Sequence, residues 1–220
     1  MMMLAGGKTV HEYYTGENHH ASYGCVRCII TTVYEELMNH PHRRFTFVEI
    51  AFFQMWWREQ SDVVKSNFQR MVRQGRIHFA NAGWSMSDEA DVHYEDFINN
   101  MKTGHDFLKE AVGYRPTIGW HLDPFGHHSA TPALFAQIGF NAWFFGRIDY
   151  QDKQRRMRDQ ELEWIWRPFN DSLGSRAEIF THSMYNLYIS PPGFDFDEYA
   201  GKDNPIINDR MMLGYNINPK

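Results

Sequence analysis

The sequence predicts an α/β fold built on a parallel sheet. Short runs of apolar and β-branched residues alternate with segments of helical periodicity, and the turns between them are short. The chain has 220 residues, 43% hydrophobic and 22% charged, so it is long enough for one domain with a buried core. Open doubly wound sheets and closed barrels share this pattern. Neither a G-x-G-x-x-G motif nor a P-loop is present, which weakens the case for nucleotide binding.

Local signals predict each element in order. Helical periodicity predicts a helix over 21–39, and the almost wholly apolar run 45–50 is typical of a buried parallel strand. Ser61 predicts the N-cap of a helix that runs to Arg73, with Gly75 as its C-cap. The remaining predicted elements are a strand over 77–80, a long helix over 88–112, a strand over 117–120, a helix over 132–138, and strands over 142–145, 162–166 and 178–182.

One strand end carries the strongest functional signal. Residues 120–128 read Trp-His-Leu-Asp-Pro-Phe-Gly-His-His, so that Asp123 follows the apolar run 117–120 and Pro124 ends any ladder. An acid delivered to the C-terminal end of a strand, beside histidines and aromatic residues, is how α/β barrels build active sites. The alternative is that Asp123 caps the next helix.

Composition limits the classes of partner. The net charge is −5 and no basic patch predicts nucleic-acid binding. No apolar stretch approaches the length of about 18 residues that a membrane-spanning helix needs. Aromatic residues reach 16%, which suits either a sugar-binding cleft or a large core. The Lys- and Arg-rich segment 153–158 predicts a solvated turn.

Cys25 and Cys28 form a C-x-x-C pair, a spacing that zinc sites and redox sites both use. No second pair completes a zinc site. Because the surrounding residues have helical periodicity, we expect two semi-buried thiols rather than a disulfide framework.

Residues 120–127 resemble the nucleophile motif of glycoside hydrolase family 38, the retaining α-mannosidases of the lysosomal type. The likeness continues in order from about Lys8 to the end of the chain. Further segments similar to that family are 44–53 with Trp56 and Trp57, 79–84 (Phe-Ala-Asn-Ala-Gly-Trp), 86–90 (Met-Ser-Asp-Glu-Ala), 134–140, 144–153, 177–180 and 191–194.

The resemblance implies an irregular parallel α/β barrel of the seven-stranded type, incomplete in this chain. It implies a single partial catalytic domain over 1–220, with a non-matching start at 1–7 and an irregular tail from about 190 to 220. It also implies the lysosome or the secretory pathway, although 1–7 is too short for a signal peptide. The substrate would be a mannose-containing oligosaccharide, cleaved at terminal α-mannosyl residues as in N-glycans.

By the same resemblance, Asp123 is the catalytic nucleophile and also a ligand of one Zn²⁺ ion. The histidines of the motif, His121 and His127, are expected to make hydrogen bonds around the site rather than to bind metal. The acids Asp88 and Glu89 are expected to begin the long helix, where its dipole favours negative charge.

Three further residues are candidates for substrate binding. Arg147 matches an arginine of the family's site, where it would hold the nucleophile ionised or bond sugar hydroxyls; the alternative is a surface ion pair with Asp149 or Asp152. Trp84 offers a sugar platform or packs into the core, and Tyr185 is loosely matched to an active-site tyrosine.

The family's other zinc ligands are not matched. A His-x-Asp motif is expected where 1–7 reads Met-Met-Met-Leu-Ala-Gly-Gly, and the remaining zinc histidine and the acid/base lie in the family beyond Lys220. Asp123 is therefore the one expected ligand of four, and we expect the isolated chain to be inactive and marginally stable. The alternatives are a catalytically dead product that binds sugar or a partner, and another zinc-dependent barrel hydrolase.

Overall fold

The computed structural model describes residues 3–4, 8–16, 25–185 and 187. The described chain divides into two compact units, Met1–Trp120 and His121–Lys220. Parallel strand pairs occur in both units, which confirms the α/β class. The closed barrel and its incompleteness stay predictions. The start of the helix predicted over 21–39, the family match at 191–194 and the tail from about 190 lie outside the described residues.

The helices are α1 (Val10–Thr15), α2 (Val26–Asn39), α3 (Ala51–Glu59), α4 (Asp62–Arg73), α5 (Tyr94–Val112), α6 (Ala130–Ile138), α7 (Tyr150–Asp159) and α8 (Asn170–Leu173), with a 3-10 turn at Gly174–Ala177. The strands are β1 (Met3–Leu4), β2 (Lys8–Thr9), β3 (Phe45–Phe47), β4 (Ile77–Phe79), β5 (Ile118–His121), β6 (Ala142–Phe145), β7 (Glu163–Trp166) and β8 (Ile179–Ser183). In the part of the chain that the structure describes, no helix has the length and apolar character needed to cross a membrane.

The first unit is organised around an aromatic core. Strands β3 and β4 are parallel, with Phe47 opposite Phe79. Phe53 of α3 packs between Phe79 and Phe68 of α4, with ring centroids 5.2 and 5.1 Å apart respectively. The Ser61 side chain accepts a hydrogen bond from the Val64 N–H, so that it caps α4 as expected.

Two boundaries in the first unit differ from the sequence-based prediction. The strand expected over 45–50 ends at Phe47, and α3 begins four residues later in the same apolar run. The helix expected from Asp88 begins at Tyr94, because the Asp88 side chain accepts a hydrogen bond from the Ala90 N–H at 2.7 Å and holds a turn instead.

In the second unit, β8 lies between β6 and β7. β6 is parallel to β8, whereas β7 is antiparallel to β8, which departs from the all-parallel expectation. The solvated turn expected over 153–158 is wrong, because these residues belong to α7. Asp149 caps that helix by accepting from the Gln151 and Asp152 N–H groups at 2.9 and 3.2 Å.

The expectation of two free thiols is also wrong. Cys25 and Cys28 are joined by a disulfide bond, with Cα atoms 5.1 Å apart. The helix α2 begins directly after Cys25, so its first turn places the two side chains on the same side.

Candidate active site

Two residues of the second unit meet where strands end. Asp123 lies just after β5 and Arg147 just after β6. The Arg147 Nη2 atom is 2.9 Å from the Asp123 Oδ1 atom, and the side chains are 38% and 60% exposed. They form an ion pair that solvent, and hence a ligand, can reach.

Other residues occupy the alternative roles considered for Asp123 and Arg147. Ser129, not Asp123, is the N-cap residue of α6. Asp149 caps α7, and the Asp152 carboxylate accepts hydrogen bonds from Arg155 and Arg156 of the same helix. The Arg147 guanidinium pairs with Asp123, while Asp149 and Asp152, the alternative partners, make these bonds within α7.

His127 makes a hydrogen bond to the backbone of Arg147. Its Nε2 atom is 2.9 Å from the Arg147 carbonyl oxygen, and since a carbonyl only accepts, the ring N–H is the donor. The imidazole packs on Phe145, with ring centroids 4.2 Å apart, and edge-on against Trp143 at 5.1 Å. His127 thus ties the turn that carries Asp123 to the backbone that carries Arg147. His121 is fully buried, with its ring 5.2 Å from that of Phe135.

A glycine allows the two strand ends to come together. A Cβ atom at Gly146 would lie 2.5 Å from the Leu122 carbonyl oxygen and 2.5 Å from the Leu187 Cδ1 atom. Any side chain there would push apart the segments that flank Asp123 and Arg147.

A cavity of about 810 Å³ opens beside Arg147, within the second unit. Its volume lies in the range of small-ligand sites, roughly 300–1,000 Å³. Its wall contains aromatic side chains together with cationic and acidic ones, a combination that suits the apolar C–H surface and the hydroxyls of a sugar ring. The lining includes Phe125, Arg147, Lys153, Trp164, Trp166 and Tyr185.

Helix α7 holds one wall of the cavity in place. The Lys153 ammonium donates hydrogen bonds to the carbonyl oxygens of Gly146, at 3.0 Å, and of Met184. Burial lowers the pKa of Lys153 below its usual range. The Arg156 guanidinium lies 4.1 Å from the centre of the Trp164 ring. Sequence reasoning missed these residues, although their i,i+3 spacing after a capping aspartate was the available signal.

The other two predicted substrate contacts differ in setting. Tyr185 is 51% exposed and lines the cavity with Arg147. Trp84 belongs to the first unit, where it is half-buried and packs against the aromatic core. The Trp84 backbone N–H donates to the Asn100 carbonyl oxygen at 3.0 Å. The roles of Arg147, Trp84 and Tyr185 in substrate binding stay predictions.

The first unit has a carboxyl group in an unusual environment. The Met86 N–H donates to the Glu49 Oε1 atom at 3.2 Å, which links the segment after β3 to the segment after β4. Burial raises the pKa of Glu49 above its ordinary value.

Among the residues that the structure describes, Asp123 is not part of a complete zinc site. A protein zinc site uses about three or four His, Cys, Asp or Glu ligands. Across 3–4, 8–16, 25–185 and 187, no group of three such side chains that includes Asp123 has its ligand atoms within reach of one ion. Within the described residues, the surroundings of Asp123 therefore do not fit the zinc ion that the resemblance implies.

Comparisons with known proteins agree with the motif. The family model described as Glycosyl hydrolases family 38 N-terminal domain matches residues 7–217. Lysosomal alpha-mannosidase of Bos taurus is 41% identical over 211 residues, which is 95% of this chain and 21% of the bovine protein. The protein of the same name from Dictyostelium discoideum is 38% identical over 213 residues, covering 97% of this chain and 21% of that protein. The chain thus spans about a fifth of the length of these curated relatives.

Solved structures show the same fold. An alpha-mannosidase from Enterococcus faecalis V583 superposes with a TM-score of 0.57 at 17% sequence identity, covering 74% of this chain and 17% of that one. A 4-alpha-glucanotransferase from Thermococcus litoralis has a TM-score of 0.53 at 14% identity, over 70% of this chain and 23% of that one.

Proposed function

Since the chain belongs to glycoside hydrolase family 38, we propose that it is part of an α-mannosidase that removes terminal α-mannosyl residues from N-glycans and oligomannosides with retention of configuration. The observation that carries the proposal is the pair of Asp123 and Arg147 at strand ends, together with the aromatic cavity that Arg147 lines. The names of the relatives favour the lysosome or the secretory pathway as its compartment. We treat 1–220 as one partial catalytic domain, including the non-matching start at 1–7 and the tail from about 190 to 220.

In this mechanism Asp123 attacks the anomeric carbon. A retaining glycosidase forms a covalent glycosyl-enzyme and then releases it with water, and a second carboxyl group protonates the leaving oxygen and later activates the water. The Asp123 carboxylate is suited to the attack because it is 60% exposed and because Arg147 engages its Oδ1 atom, which orients the other oxygen. The second carboxyl group would come from outside the described residues.

The cavity beside Arg147 is the proposed substrate-binding site. Trp164 and Tyr185 offer aromatic surface to the sugar ring, and Arg147 is placed to bond sugar hydroxyls as well as Asp123. In the first unit, Trp84 is proposed as a further sugar contact. The zinc dependence of the family is proposed for the enzyme as a whole, with Asp123 as one ligand.

The test uses the purified 220-residue chain. We expect less than stoichiometric zinc, no turnover of an aryl α-mannoside, and a change in tryptophan fluorescence on titration with α-methyl mannoside that α-methyl galactoside does not produce. Arg147→Ala should abolish the mannoside response. Asp171→Asn, which changes an exposed carboxylate in α8, serves as the control and should leave that response intact.

Each outcome decides a part of the proposal. Stoichiometric zinc with turnover would overturn the incomplete site, and Asp123→Asn would then have to abolish turnover for the nucleophile assignment to stand. Mannoside binding without turnover supports the incomplete site, and it also fits the alternative of a sugar-binding product that is catalytically dead. A folded chain without any mannoside response would refute the proposed sugar cavity.

A further inference from the structure

The disulfide between Cys25 and Cys28 lies in the first unit and takes no part in the proposed hydrolysis. Cys25 is the N-cap residue of α2, a helix of 14 residues, and Cys28 lies in its first turn. The bond spans a sequence separation of 3. A disulfide that closes so short a loop removes little entropy from the unfolded chain, so that a role as a stabilising cross-link is weak.

The helix terminus is suited to hold negative charge on Cys25. The Cys28 N–H already donates a hydrogen bond to the Cys25 Sγ atom at 3.1 Å. The first-turn N–H groups and the helix dipole favour an anion at this position. A thiolate formed at Cys25 would therefore be stabilised by groups that are already in place.

The two sulfur-bearing residues differ in access. Cys28 is exposed, whereas Cys25 is half-buried. Gly16, with φ of +76°, follows α1 and lies against Cys25, since a Cβ atom there would be 2.9 Å from the Cys25 Cβ atom. An incoming thiol meets the Cys28 sulfur with less obstruction, and the sulfur that would leave is the one at the helix terminus.

We propose that Cys25 and Cys28 form a reversible thiol–disulfide exchange site for a low-molecular-weight thiol such as glutathione. A glutathione thiolate attacks the Cys28 sulfur, the sulfur–sulfur bond breaks, and Cys25 leaves as a thiolate. A second glutathione thiolate attacks the glutathione sulfur of the mixed disulfide and releases glutathione disulfide, and Cys28 and Cys25 take up protons. Two glutathione thiols are oxidised and one protein disulfide is reduced. Attack occurs at Cys28 and Cys25 leaves because the thiol of lower pKa is the faster leaving group.

The test begins with the folded wild-type chain in glutathione buffers of increasing reduced fraction. Aliquots are quenched with acid, and mass spectrometry locates bound glutathione and alkylated cysteine. We expect reduction while the far-UV circular dichroism stays native, and glutathione on Cys28 at least about tenfold more often than on Cys25 in the trapped mixed disulfide. Reduction that requires denaturant, or glutathione mainly on Cys25, would overturn the proposal.

Two single variants provide the second measurement. An ordinary cysteine thiol has a pKa of about 8.5. In Cys28→Ser, the rate of alkylation of Cys25 by iodoacetamide should reach half its maximum at a pH well below that value. In Cys25→Ser, which is the matched control, the midpoint for Cys28 should lie higher. Equal midpoints in the two variants would contradict the stabilisation of a thiolate at the helix terminus, and the wild-type measurement stands even if one variant folds poorly.

Discussion

Gly104 lies inside α5 where the helix touches the segment after β4. A Cβ atom at Gly104 would lie 2.1 Å from the Ala82 carbonyl oxygen, 2.8 Å from the Gly83 carbonyl carbon and 3.0 Å from the Ala82 carbonyl carbon. All three are backbone atoms, so that no side-chain rotation can relieve the overlap. Ala82 has a positive φ of 58°, which leaves its backbone little alternative conformation.

Gly104→Ala therefore sets two effects against each other. Alanine improves helix propensity by about 1 kcal/mol, whereas overpacking a close contact costs about 1–3 kcal/mol and more when backbone has to move. Because the overlap with Ala82 is deep, we expect the free energy of unfolding to fall by roughly 1–2 kcal/mol net. In a chain of this size that corresponds to a melting temperature lower by roughly 2–8 °C.

The assay is urea unfolding followed by far-UV circular dichroism, with Thr103→Ala as the control. Thr103 is exposed on the same helix, and its hydroxyl donates to the Asn99 carbonyl oxygen at 2.7 Å. Thr103→Ala should change stability by less than about 0.5 kcal/mol. A Gly104→Ala variant as stable as the wild type would refute the close approach of α5 to Ala82, and with it the placement of the segment that leads to Trp84.

Glu49, His127 and Lys153 each make a contact whose removal has a measurable effect. Glu49→Gln should raise the free energy of unfolding at pH 7 and have little effect near pH 4. Burial raises the pKa of Glu49 in the folded state, so the stability that Glu49 contributes is complete below its ordinary pKa and is lost as pH rises through its folded-state pKa. A stability difference that does not depend on pH in urea titrations would contradict this. His127→Phe should cost about 1 kcal/mol and weaken mannoside binding, because the hydrogen bond to the Arg147 carbonyl is lost while the ring contacts remain; unchanged binding would show that this bond does not position Arg147. Lys153→Met should lower stability by about 1–3 kcal/mol, since two carbonyl oxygens lose their donor; thermal melting equal to wild type would count against it.

Local signals predicted several elements well because their causes lie within a few residues. The strand Ala142–Phe145 has the expected bounds, and α4 begins after its Ser61 cap. Side-chain caps, turn residues and periodicity act over one or two turns of chain, so that all the groups involved are close together in the sequence. The same locality made Asp123 recognisable, because its motif is contiguous.

The errors fall where distant partners decide the outcome. The apolar run that contains β3 continues into α3, and the choice between strand and helix depends on which neighbours bury it. Strand β7 pairs antiparallel with β8, and the composition of β7 does not specify that direction. Helical periodicity did not reveal the disulfide, which Cys25 forms from the N-cap position of α2 with Cys28 in the first turn.

For the candidate site, the sequence alone determined the family, the α/β class and the chemical groups: a strand-end carboxylate, a guanidinium and an excess of aromatic rings. The tertiary structure decided that Arg147 pairs with Asp123 at 2.9 Å and that His127 bonds the Arg147 carbonyl oxygen. It also decided that Lys153 joins the segment after β6 to the segment after β8. The physical reason is that a residue type sets what a side chain can bond. Several partners compete for each side chain, and the packing that brings separate strand ends together decides which one it bonds. Gly146 is an example, because the strand ends approach so closely there that no side chain fits.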